Sequence, residues 1–251
     1  MNEMKLSGKV AVITGGNSGI GRSTARLFKE NRASVAVIGR NEESLQEVRD
    51  ELKGDTLSLK ADVSKAEEIE KAMAQIKETF GKIDILFANA GISQCPPIQE
   101  TDEAFFDHIM GINLKGVFFT FTKALPYLSE GASVIFTSSV SNKKGRPGDP
   151  LYAASKAAVR SLARTLAFDE EVLKRKIRIN AVSPGAIKTP LTSQETPEME
   201  KAINDYISSA VPMERWGLPE EVAKAVLYLA SSDASYLTGG EITVDGGLGE
   251  I

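Results

Sequence analysis

The chain has 251 residues, 42% hydrophobic and 25% charged, an ordinary globular composition with enough apolar material for a sizeable core. Its formal net charge is −4, with acidic and basic residues interleaved, so nothing electrostatic favours a nucleic-acid partner. A single cysteine, Cys95, excludes an internal disulfide and a multi-thiolate metal site, and a single histidine, His108, leaves no ligand cluster, so no metal is expected.

Apolar, β-branched runs of strand length fall in order at residues 10–13, 35–38, 56–61, 83–88, 134–137, 177–182 and 241–244. Helical spacing lies between them, as in Leu45, Val48 and Leu52 or in Val222, Val226 and Leu229. Ser64 with Glu67 has the spacing of a capping box, and Pro219 suits a first helical position. Strand alternating with helix predicts an α/β fold: one doubly wound parallel sheet of the Rossmann type, with helices on both faces, over residues 1–251. The segment 188–217, polar and interrupted by Pro190, Pro197 and Pro212, is expected to be a substrate lid. No long apolar stretch precedes the first strand run, so a cytoplasmic protein with no membrane partner is expected.

In such a sheet ligands bind beyond the carboxyl ends of the strands. The unusual residues of this chain recur there: 14–21 after the first run, Gly39 and Arg40 after the second, Asp62 after the third, and 89–91, 138–139 and 183–185 after the fourth to sixth. The run TGGNSGIG places Gly15, Asn17, Ser18, Gly19, Ile20 and Gly21 between a strand and a helix. There a tight backbone turn and a helix N-terminus favour a pyrophosphate. Where an acidic residue would hold the adenosine ribose of NAD, the chain has Gly39 followed by Arg40. A guanidinium without a neighbouring carboxylate suits a 2′-phosphate, so NADP(H) is expected over NAD(H), and Gly39→Asp should move the preference toward NAD.

Tyr152 and Lys156 stand four apart at the start of a helical pattern and share one face. A phenol of ordinary pKa, about 10, is a poor acid near neutrality, and a neighbouring ammonium lowers it. Ser139 could hydrogen-bond the substrate oxygen while Tyr152 transfers a proton, although Ser138 and Ser141 compete for that role. His108, away from these residues, is expected to be structural.

Together TGGNSGIG, the ANAG of residues 88–91, Asn113, Ser139, the YAASK of residues 152–156 and the SPG of residues 183–185 make the chain resemble the short-chain dehydrogenase/reductase family. The resemblance implies that Tyr152 is the general acid/base, that Lys156 also binds the nicotinamide ribose, that Ser139 fixes the substrate oxygen and that Asn113 supports a water in the proton relay. It further implies adenine contacts from Asp62 and Val63, ribose contact from Asn89 with Ala90 and Gly91 beside it, and nicotinamide contacts from Pro184, Gly185, Ile187 and Thr189. A homotetramer, or a dimer, is implied too, with the helices around residues 105–121 and 151–168 as interfaces. The expected function is NADP(H)-dependent interconversion of a small-molecule ketone or aldehyde and its alcohol. The alternatives are a 3-oxoacyl-[acyl-carrier-protein] reductase, a glucose-type sugar dehydrogenase, and a non-catalytic NADP(H) sensor. The four-residue spacing of Tyr152 and Lys156 differs from that of the family's enoyl reductases. A carrier protein needs a basic docking surface, for which residues 174–176 are candidates. Residues 143–151 and the lid are expected to shape the substrate pocket.

Overall fold

The computed structural model describes residues 4–93, 96–145, 148, 150–193 and 196–249; Cys95 lies outside the described residues. The strands are β1 (Val10–Thr14), β2 (Ser34–Gly39), β3 (Thr56–Lys60), β4 (Ile83–Ala88), β5 (Leu128–Thr137), β6 (Arg178–Pro184) and β7 (Glu241–Val244). They form one parallel sheet in the order β3-β2-β1-β4-β5-β6-β7. All seven coincide with the runs read from the sequence. β5 begins at Leu128, earlier than its apolar run, because Leu128 pairs with Ile83 before the register shifts and Ser133 pairs with Ile85.

The helices are α1 (Gly19–Glu30), α2 (Glu42–Leu52), α3 (Ala66–Phe80), α4 (Glu103–Met110), α5 (Gly116–Ala124), α6 (Pro150–Leu166), α7 (Glu170–Lys174), α8 (Pro197–Ala210) and α9 (Pro219–Ala230). One core packs Val12, Ile38 and Phe136 of the sheet against Met73, Phe121 and Val159. The other packs Ile13, Val35 and Val37 against Phe28, Leu45 and Val226. Val12 and Ile13 are neighbours on β1 yet enter opposite cores, because successive strand residues face opposite ways. With both faces covered, β1 is buried at every position, which is why its sequence is apolar without alternation.

Helix starts follow local chemistry. Asn41 caps α2 by accepting from Ser44 N (2.9 Å), and Asp102 caps α4 by accepting from Phe105 N (2.8 Å). Pro219 is the first residue of α9, as expected, and the Glu221 carboxylate reaches back to the Leu218 N–H (2.7 Å). The expected capping box at Ser64 is corrected: Lys65 precedes the first turn of α3, and both the Ser64 N–H and hydroxyl bond Asp62 Oδ1 at 2.9 and 2.8 Å. Asp62 outcompetes the helix for that serine, and Glu68 rather than Glu67 closes back, onto the Asp62 N–H (2.8 Å).

Between residues 188 and 217 lies the 14-residue helix α8. Its Pro197 starts the helix rather than interrupting it, behind Thr196, whose side chain accepts from Met199 N (3.2 Å). Residues 194–195 of this segment, and 146–147 and 149 of the other substrate segment, lie outside the described residues.

Candidate active site

The direction in which the chain winds reverses between β1 and β4, and a crevice opens above their carboxyl ends. A cleft of about 520 Å³ occupies it. Its floor is tied together by side chains at the strand ends. The buried Thr14 Oγ1 accepts from the N–H groups of Asn89 (3.0 Å) and Ala90 (3.2 Å), and Thr137 Oγ1 donates to Asn89 Oδ1 (3.1 Å). Asn89 Nδ2 returns to the Thr14 carbonyl at 3.2 Å. Three strands are thus locked edge to edge beneath the cleft.

The glycine-rich turn forms one wall. Gly15 has φ of +64°, a left-handed conformation that β-carbon-bearing residues rarely adopt, and its N–H bonds the Ile38 carbonyl (2.8 Å). A Cβ on Gly21 would land on the Gly15 carbonyl oxygen and 2.8 Å from Asn89 Nδ2, so only glycine allows α1 to start this close to the turn. The N-terminus of α1 therefore opens onto the cleft with Gly19 and Ile20 in its wall, the donor set and charge polarity a pyrophosphate requires. The residues present fit a dinucleotide.

Of the expected cofactor residues, Gly15, Ser18, Gly19, Ile20, Asn89, Ala90, Gly91, Pro184, Gly185, Ile187 and Thr189 line the cleft. Five are placed elsewhere. Gly21 is buried in the first turn of α1, and Val63 is buried against Gly116 of α5. Asn17 points to α2, donating to Ser44 Oγ (2.8 Å), and its side chain fills the space above Gly39. Beyond the end of β2, the Arg40 guanidinium lies 3.8 Å from Asp62 Oδ2. Burial works against ionisation of Asp62, but the Ser64 bonds and the charge of Arg40 hold it below the ordinary carboxylate value. This packing adds a step to Gly39→Asp: a Cβ there would fall 2.7 Å from Asn17 Cγ, so the substitution first displaces Asn17.

Ser139, Tyr152 and Lys156 share the same cleft. Lys156 is 3% exposed; its Nζ donates to the Thr137 carbonyl (3.0 Å) and lies 5.6 Å from the centre of the Tyr152 ring. Burial pushes its pKa down to about 8, because the ammonium has left water without a carboxylate to replace it. Gly91 leaves the room: a Cβ there would sit 3.2 Å from that Nζ. The three candidate serines, Ser138, Ser139 and Ser141, all line the cleft and differ in their hydrogen bonds. Ser138 and Ser139 are both buried; Ser138 donates to the Lys156 carbonyl (2.9 Å), whereas Ser139 Oγ accepts from the Ser141 N–H (3.2 Å).

Asn113 stands behind the cleft, fully buried, in a π turn at Gly111–Lys115 that joins α4 to α5. The wider turn swings its amide inward. Oδ1 accepts from Ile92 N (2.9 Å), and Nδ2 donates to the Ile92 carbonyl (2.9 Å) and to Ser155 Oγ (3.1 Å). It thereby ties the loop after β4 to the residue next to Lys156.

One cluster has no counterpart in the sequence reading. Glu241 of β7 accepts from Arg160 Nε (2.9 Å), Asn142 Nδ2 (2.5 Å) and the Ser183 hydroxyl, and Asn142 also donates to Ser138 Oγ (3.0 Å). The short turn Val140–Asn142 that follows Ser139 is thus anchored at its far end. Ile92, Ser93, Val140 and Leu248 also line the cleft outside the predicted segments. Only their positions immediately after the ANAG run, after Ser139 and after the glycine pair Gly246 and Gly247 could have pointed to them. His108 is exposed on α4, outside the cleft lining. Among the described residues no group of three potential ligands could hold a metal, and no helix is long and apolar enough to cross a membrane.

The parallel sheet, the reversal above β1 and the glycine-rich turn at that point define a protein of the Rossmann class. A family model described as "Enoyl-(Acyl carrier protein) reductase" matches residues 15–249. The chain is 38% identical to the 3-oxoacyl-[acyl-carrier-protein] reductase FabG of Thermotoga maritima, over 98% of this chain and 99% of that one. It is 36% identical to a glucose 1-dehydrogenase of Gluconobacter oxydans, over 97% and 93% of the two chains. A crystal structure of a short-chain type dehydrogenase/reductase from Mycobacterium marinum superposes with a TM-score of 0.91 at 34% identity, covering 100% of this chain and 99% of that one. The chain belongs to the short-chain dehydrogenase/reductase family, a family of nicotinamide-dependent oxidoreductases.

Proposed function

We propose that this protein is an NADP(H)-dependent carbonyl reductase, acting on a ketone or aldehyde with Tyr152 as the general acid and Ser139 and Lys156 as its partners. The observation that carries the reading is the burial of Lys156 beside Tyr152 in the wall of the cleft onto which the glycine-rich turn opens. Ser139 Oγ and the Tyr152 hydroxyl hold the carbonyl oxygen, and Tyr152 gives that oxygen its proton as negative charge develops on it. Lys156, protonated below about pH 8, stabilises the phenolate left behind. The bound nicotinamide supplies the hydride. Asn113 is a positioning residue in this scheme: its amide holds Ile92 and Ser155 and so fixes the helix that carries Tyr152 and Lys156.

The cofactor preference rests on the end of β2. Gly39 brings no carboxylate, and the Arg40–Asp62 pair, long and with the arginine side chain 57% exposed, contributes little that a 2′-phosphate would have to overcome. Among the described residues, the large apolar groups left exposed include Phe106, Phe118 and Phe168 on or beside the helices expected to form subunit contacts, and these suit a homotetramer. A reducing, cytoplasmic setting fits the reaction. The four-residue spacing of Tyr152 and Lys156 favours C=O over C=C reduction. The test is NADPH oxidation over a panel of ketones, aldehydes, sugars and acyl thioesters. Tyr152→Phe should abolish turnover while leaving NADPH affinity intact, and Arg40→Ala should weaken NADPH by about tenfold and NADH little. Tight NADPH binding with no turnover across the panel would favour a sensor instead.

A further inference from the structure

The half of the cleft remote from the glycine-rich turn has a chemical bias. No carboxylate lines the cleft among the described residues, and its ionisable groups are Lys144, Lys156 and the phenols of Tyr152 and Tyr206. Beyond Ser139 and Tyr152 the large uncharged side chains of the walls are apolar or aromatic, Ile92, Leu191, Ile203, Tyr206, Trp216 and Leu248, with Ser93, Ser141, Lys144 and Thr192 as the polar residues among them. Leu191 and Tyr206 remain 52% and 47% exposed, large side chains at the cleft wall with surface still to be covered.

Three of the polar groups among these walls are engaged with the protein itself. Trp216 Nε1 donates to Asn204 Oδ1 (2.7 Å), the Lys144 ammonium lies on the Leu248 carbonyl, and Thr192 Oγ1 bonds the Ile187 (2.9 Å) and Thr189 (3.0 Å) carbonyls. A hexose carries a hydroxyl on nearly every carbon. Each one buried without a partner costs about tenfold in affinity, and this chamber has few partners to give.

A carrier protein is also poorly served. The basic residues 174–176 lie just before β6, whose seven residues run away from them toward the cleft, a separation of about 20 Å along the strand. Arg175 is turned inward onto the Leu125 carbonyl (2.7 Å), and Lys176 pairs with Glu130 (2.7 Å). The docking patch considered from the sequence therefore sits at the amino ends of the strands, opposite the end that carries the cleft.

We propose that the substrate is a free, uncharged ketone or aldehyde with an apolar body, seated between the α8 side chains, Trp216 and Leu248. The inference rests on the reductase reading above and adds the substrate class to it. A series of straight-chain methyl ketones of increasing length should show kcat/KM with NADPH rising about fourfold per methylene until the chamber is full. Glucose oxidation with NADP should lie at least a hundredfold below the best ketone. Tyr206→Ser should flatten the series and leave the NADPH Kd unchanged. Turnover with a flat series, glucose as the better substrate, or a 3-oxoacyl thioester that gains tenfold or more when presented on a carrier protein would each overturn this inference alone. Silence toward every member of the panel, with NADPH bound, would overturn the reductase reading and this inference with it.

Discussion

Replacing Lys156 by methionine tests the central electrostatic feature without the ligand. The lysine amine is held at a pKa of about 8 against its ordinary 10.5 because burial penalises the charge. At ~1.4 kcal/mol per pH unit, that difference is about 3 kcal/mol of instability while the amine is protonated. The sign follows from proton binding. Below about pH 8 folded and unfolded chains both carry the proton, and the full penalty is present. Between about 8 and 10.5 the unfolded chain keeps the proton that the folded chain sheds, so stability rises with pH; above 10.5 the penalty is gone. Methionine fills a similar volume without charge but forfeits the bond to the Thr137 carbonyl, which offsets the gain by about 1 kcal/mol. Lys156→Met should therefore be about 2 kcal/mol more stable than the parent near neutral pH, while inactive. The gap should close and reverse as pH approaches the ordinary lysine value. Urea unfolding of both proteins at several pH values and one protein concentration reads this directly. Parallel stability curves for the two, or a variant less stable at neutral pH, would refute the claim that the cleft amine is charged at the expense of the fold.

Gly21→Ala places a methyl group against the Gly15 carbonyl oxygen and should raise the NADPH Kd by roughly a hundredfold in a fluorescence titration, because the turn can no longer close under the helix N-terminus. Gly39→Asp alone should weaken both cofactors, since it expels Asn17; paired with Asn17→Gly it should favour NADH over NADPH, as the ratio of their Kd values will show. Glu241→Gln should lower kcat roughly tenfold with KM little changed, by loosening the turn that holds Ser139. The Glu241 carboxyl is burdened by burial yet kept below its ordinary 4.5 by Ser183, Asn142 and Arg160. Its contribution to stability is lost as pH falls through that depressed value, so Glu241→Gln should also flatten the acid limb of the unfolding curve.

The strands were legible because a parallel sheet covered on both faces needs apolar residues throughout, a demand that local sequence states openly. Tyr152 and Lys156 were legible for a related reason: helical spacing alone puts both on one face. What escaped depends on contacts between distant segments. Ser64 with Glu67 has the spacing of a cap, but Asp62 takes the serine first and Glu68 closes the turn. Asn17 belongs to the glycine-rich run, yet its side chain serves α2 and covers Gly39, a pairing set by how far apart β1 and β2 hold the two loops. Glu241 reaches Asn142 only because β7 closes the sheet beside β6.

The serines show why chemistry type and spacing stop short of roles. Ser138, Ser139 and Ser141 are equivalent as residues and all line the cleft, and what separates them is the hydrogen bonds each makes as the chain leaves β5. Ser138 turns to the Lys156 carbonyl and receives Asn142, so its hydroxyl holds the helix that carries the lysine against the end of β5. Ser139, one residue on in the same cleft lining, accepts a backbone bond from Ser141. The same network that immobilises the first serine aims the second. Substituting Ser138 should therefore disturb Ser139 and Lys156 together, whereas Ser139→Ala should remove the bond proposed for the substrate oxygen and leave the fold intact. A loss of thermal stability in Ser139→Ala as large as in Ser138→Ala would contradict this division of labour.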